Sequence, residues 1–225
     1  MKYEFVPASE IDAILENELG ASVAPKGFLI RSPRAYVRSR SPEIRDLIII
    51  QPMKGAGYAP HWGFSLDFVP HISRDGLRWH RTDKSARLDL RFDPLDYLHP
   101  GSPEFNQWTI DSARGAKTAR KQIRRITTML SKHAEAFFAQ VQSKSDLLRA
   151  FEREAAREAV RFNSYNYSQQ AIAYAFILGR IGKFDSAKAE LERAYAMQDV
   201  SETVQQRLKE MIRQSAADHQ RRPDA

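Results

Sequence analysis

The sequence predicts an α+β protein: an N-terminal helix packed on a mostly antiparallel sheet of about five or six strands, followed by a helical C-terminal half. Three observations carry this. Ile11, Ile14, Leu15 and Leu19 recur at helical spacing near the start. Several short segments between residues 28 and 92 alternate apolar with polar residues or run apolar between turn residues. After Pro100 the pattern changes to apolar residues three and four apart almost throughout.

Taken in order, Ser9 marks the start of the first helix, with Asp12 three residues later as a capping-box partner. Pro25 ends that helix and Gly27 opens the strands, expected at 28–31, 35–40, 47–51, 62–69, 77–81 and 88–92. Trp62, Phe64, Leu66 and Phe68 oppose Ser65 and Asp67, and Leu88, Leu90 and Phe92 oppose Arg87, Asp89 and Arg91, as in a sheet with one wet face. The unbroken run Leu47-Ile48-Ile49-Ile50 fits a central strand covered on both faces, with the N-terminal helix as one cover. In the second half a long helix is expected over 113–142, helix again through Phe162, and shorter helices near 168–181, 185–197 and 201–216. Gly182 ends the first of these and Ser201 caps the last. The organisation expected is one core with two sub-regions, 1–100 and 101–217, and a disordered tail over 218–225.

Charge is distributed unevenly. Residues 1–100 hold 14 Lys and Arg against 13 Asp and Glu, whereas residues 101–225 hold 21 against 15. Much of that excess lies between Arg114 and Lys132, where Arg114, Lys117, Arg120, Lys121, Arg124, Arg125 and Lys132 occur without a carboxylate. The same segment carries Ala119, Ile123, Ile126, Leu130, Ala134, Phe137 and Val141 on one helical face, which predicts a packed helix with a cationic back. Arg114, Lys117, Lys121, Arg124 and Arg125 are therefore the candidate partner- or anion-binding residues. Tyr58, His61 and Trp62 form a second candidate, an aromatic contact surface.

The absence of cysteine removes disulfides, thiolate metal sites and cysteine nucleophiles, and suits a reducing cytoplasm. No apolar signal core or membrane-length run is present, so a membrane partner is not expected. His61, His71 and His80 are not spaced as zinc ligands, and His133-Ala134-Glu135 lacks the second histidine of a metalloprotease helix, so no metal or other cofactor is expected. Gly115-Ala116-Lys117-Thr118 lacks the glycines of a phosphate loop, and Gly55-Ala56-Gly57 leads to Pro60 rather than to a helix. No nucleophile elbow occurs either.

Lys26-Gly27-Phe28, Tyr36-Val37-Arg38, Leu47-Ile48-Ile49-Ile50-Gln51 and Phe64-Ser65-Leu66 together resemble a bacterial family catalogued as domain of unknown function 4304, over about residues 10–70. The resemblance implies a small α+β protein with no assigned activity and is compatible with an immunity-like or other protein-binding role. Separately, Leu178-Gly179, Gly182-Lys183-Phe184, Ala187, Leu191 and Ala194 resemble a single tetratricopeptide hairpin, one unit rather than a self-supporting array. The function expected is a non-catalytic, protein-binding module whose partner is acidic if the basic helix is the contact. The alternatives are non-specific nucleic-acid binding through 114–132 and an enzyme with an unrecognised site in the sheet region.

Overall fold

The computed structural model describes residues 4–73, 76–157, 159 and 168–221. The first helix, α1 (Ala8–Leu15), runs on through a π turn, a short α2 (Ala21–Val23) and a 3-10 turn, and stops at Gly27, whose φ of +84° favours glycine. Ile11, Leu15 and Leu19 are buried along it, as their spacing predicts. The expected capping box is absent. Pro7 holds the N-cap position without a side-chain cap, and Asp12 instead grips the Arg34 guanidinium at 2.5 and 3.0 Å. A bidentate pair to a cation outcompetes a local backbone bond.

The main sheet contains β1 (Leu29–Ser32), β2 (Ala35–Ser41), β3 (Ile44–Met53), β4 (Gly57–Leu66), β7 (Leu90–Phe92) and β8 (Ile110–Asp111). Its antiparallel order is β1-β2-β3-β4-β7, with β8 paired to the start of β4. β1 is exposed along its length, and its pairing to β2 slips between Ile30 and Ser32. The strand expected at 77–81 does not join this sheet. Its residues fall partly in β6 (Gly76–Arg78), which pairs only with β5 (His71–Ser73).

One face of the sheet presents Tyr36, Ile48, Ile50, Trp62, Phe64 and Leu66 to the helices. The other buries Val37 and Leu47 beneath Ala86, with Ile49 and Leu88 packed alongside. The run 47–50 is thus covered twice, on one side by helices and on the other by the segment after β6. Arg45 fastens that segment: its guanidinium pairs with Asp67, reaches Asp83 at 2.7 Å and donates to the Arg81 carbonyl at 2.7 Å.

The remaining helices are α3 (Pro103–Gln107), α4 (Ala116–Ala139), α5 (Lys144–Ala155), α6 (Ser168–Arg180), α7 (Phe184–Met197) and α8 (Glu202–Arg221). α4 buries Ala119, Ile123, Ile126, Leu130, Ala134, Phe137 and Phe138 against the sheet, and Phe138 meets Phe28 and Phe64 at 6.0 and 5.7 Å. The fully buried Asp46 accepts from Arg38 at 2.8 Å and Arg40 at 2.9 Å. Arg38 also reaches Glu135 of α4 at 3.2 Å, so β2, β3 and α4 share one ionic clamp.

α6 stops in a turn that contains Gly182, with φ +81°, and pairs with α7 in the expected hairpin. Gly179 brings α6 close to α8, since a β-carbon there would lie 3.1 Å from Ile212. α8 continues to Arg221, into the tail expected to lack structure. The helix expected to reach Phe162 lies beyond Ala155 mostly outside the described residues. A single apolar cluster runs from Val6 to Ile212, joining sheet and helices. Among the described residues no helix is long and apolar enough to cross a membrane.

Candidate functional site

α4 divides the candidate cations according to what surrounds them. Lys117, Arg120 and Lys121 stand exposed within about one helical turn and, among the described residues, meet no carboxylate; Lys132 is exposed further along. Arg124 is exposed but paired with Glu18 at 2.9 Å, and Arg114 with Asp111 at 2.9 Å. Arg125 departs from the expected face. Its guanidinium donates to the carbonyls of Asn106 and Gln107 at 2.8 and 3.1 Å, holding the end of α3, and burial draws its pKa down. The free cationic patch is therefore shorter than the sequence suggests.

Tyr58, His61 and Trp62 do not form a contact surface. Adjacent residues of β4 point to opposite faces, so His61 and Trp62 separate. Tyr58 is 8% exposed and lies beneath the Arg34 guanidinium at 5.0 Å, and Trp62 is 1% exposed among core rings. His61, 5% exposed, sets Nδ1 3.1 Å from the Asp93 carboxylate, which Arg91 also contacts at 2.7 Å. Burial raises the Asp93 pKa, but His61 and Arg91 outweigh it and hold the carboxyl below its ordinary range.

The other two sheet-region histidines come together. His71 and His80 stack edge to face at 4.6 Å, and His71 Nε2 lies 2.8 Å from the buried Asp89. Burial pushes the Asp89 pKa up against the opposing bonds from His71 and from the Leu66 amide at 2.7 Å. Asp89 thus fastens the β5–β6 hairpin to β4, a structural task. Among the described residues no group of three or more His, Asp or Glu side chains is arranged to hold a metal ion.

A cleft of about 700 Å³ opens where sheet and helices meet. β4 contributes Trp62, β7 contributes Phe92, the turn after it Tyr97, the end of α3 Trp108, and α4 His133 and Phe137. Trp62 lies 4.6 Å from Phe92 and 5.5 Å from Trp108, while Phe92 and Tyr97 stack at 5.8 Å. Arg153, Glu154 and Arg157 complete the lining from the end of α5. Glu154, 3% exposed, is held by Arg157 at 3.1 Å, and the Arg157 guanidinium lies 3.9 Å from the Tyr97 ring centre. Burial, aided by Glu154, pushes the Tyr97 hydroxyl up to about 12. Sequence spacing gave no hint of this cleft, because its rings come from five separated segments.

In comparisons with known proteins the chain matches no family model, no curated protein and no solved structure.

Proposed function

We propose that this protein is a non-catalytic protein-binding module, working in the cytoplasm, that docks an acidic surface of its partner on the exposed side of α4. The observation that supports this most is the group Lys117, Arg120 and Lys121, exposed and free of carboxylates among the described residues, on a helix whose opposite side is locked into the core. Such a platform loses little conformational freedom on binding and attracts anions over a distance. The patch spans about one turn before Arg124 turns to Glu18, a length suited to a compact acidic epitope rather than to following a phosphate backbone. The buried His71–Asp89 pair serves packing, which favours binding over catalysis. An immunity-like role, in which the acidic partner is a toxin domain, is the specific form suggested by the resemblance over residues 10–70.

The test is capture by the immobilised full chain from its native host. A stoichiometric acidic partner is expected, retained by Lys84→Glu on the opposite face of the sheet and lost with the pair Lys117→Glu and Lys121→Glu. Capture that survives the double reversal overturns the proposal. Binding of a mixed-sequence oligonucleotide that weakens steeply with salt, and that the same reversal removes, establishes nucleic acid as the partner instead.

A further inference from the structure

We propose that the aromatic cleft is a small-molecule site for a flat ring system bearing an anionic group, a carboxylate or a phosphate. The volume of about 700 Å³ falls within the ordinary range of ligand clefts. Its walls are ring faces: Trp62 and Trp108 incline at 40°, and His133 meets Trp108 edge-on at 5.5 Å. Planar aromatic ligands gain from such walls through offset and edge contacts that an aliphatic chain does not make.

The polar lining has a surplus of donors. Trp62 carries a buried indole N–H that has no hydrogen-bond partner among the described residues, an arrangement that is costly in a folded chain. Among the described lining residues Arg153 and Arg157 outnumber the one carboxylate, Glu154, and are exposed on 47% and 41% of their side chains. Arg153 lies 3.6 Å from Glu154, too far for a good hydrogen bond, so its guanidinium has donors to offer. Arg157 is pre-positioned between Glu154 and the Tyr97 ring. An anion between these two guanidiniums balances the excess charge, while its ring body lies among the tryptophans. This site is separate from the cationic patch of α4, so the two proposals stand or fall independently.

Isothermal titration of the full chain with four probes tests it: 2-naphthoate, adenosine monophosphate, 2-naphthalenemethanol and octanoate. One of the first two is expected to bind saturably at submillimolar concentration, and the tighter of them identifies the headgroup. The neutral ring and the ringless acid should each bind at least about tenfold more weakly. Arg153→Gln, at an exposed position, should weaken the preferred anion about tenfold with an unchanged melting temperature and leave the neutral ring unaffected. No saturable binding of either ring anion, equal binding of the charged and neutral rings, or indifference to Arg153→Gln overturns the inference.

Discussion

Gly63 shows how much one hydrogen atom can decide. A β-carbon at this position would stand 1.8 Å from the Leu90 carbonyl oxygen, where β4 and β7 press together. Neither backbone can retreat without breaking the ladder, so Gly63→Ala is expected to cost about 3 kcal/mol or more, read as a lower urea midpoint. His80 offers a different kind of test. Burial lowers its pKa from 6.5, and the neighbouring His71 and Arg87 lower it further, against a backbone bond at Ser85. A depressed value means the unfolded chain binds the proton more readily, so this contribution is present above about pH 6.5 and is lost as pH falls through the folded pKa. Wild type should therefore lose more stability than His80→Gln between pH 7.5 and pH 5.5 in parallel urea titrations. Equal losses would show that His80 titrates no differently in the two states.

At the scale of elements, α4 is held by chemistry as well as by grease. Asp46 is fully buried beneath two arginines, and one of those continues to Glu135 on the helix. Removing the charge at the centre leaves both guanidiniums without their shared partner, so Asp46→Asn should destabilise the fold by about 3 kcal/mol in denaturant titration. This clamp was only half visible in the sequence. Turn residues and the unbroken run 47–50 located β2 and β3, yet placing Arg38 and Asp46 on the helix-covered face runs against the rule that polar residues point outward. The same inversion explains the misjudged surface at Tyr58 and Trp62. A strand wrapped on both sides has no wet face, and local pattern carries no information about what covers it. The helices were more legible, because a long apolar stripe with a glycine at the end is a local signal. Arg125 was the exception, since a side chain that turns back to hold another element's carbonyls cannot be inferred from its own helix.

For the whole molecule, the change of texture at Pro100 marked a real shift from sheet to helix but not a break in the interior. One apolar cluster crosses it. Fluorescence from the tryptophans of the sheet half and circular dichroism from the helices should accordingly report the same unfolding midpoint; separated midpoints would show two independently melting halves. The cleft is a product of that junction, which is why no stretch of sequence announced it: Trp62 and Glu154 become neighbours only once both halves are in place.

The slipped register of β1 has its own consequence for how molecules of this protein meet one another. β1 borders the sheet with Leu29 and Ile30 uncovered, the kind of margin along which identical chains can zip together. The displaced residue between Ile30 and Ser32 and the proline that follows deny a newcomer the straight row of amides it would need, and Arg31 is drawn aside to the Ala86 carbonyl at 2.6 Å. An irregularity of a single residue thus breaks the straight margin that a second copy would need in order to extend the sheet.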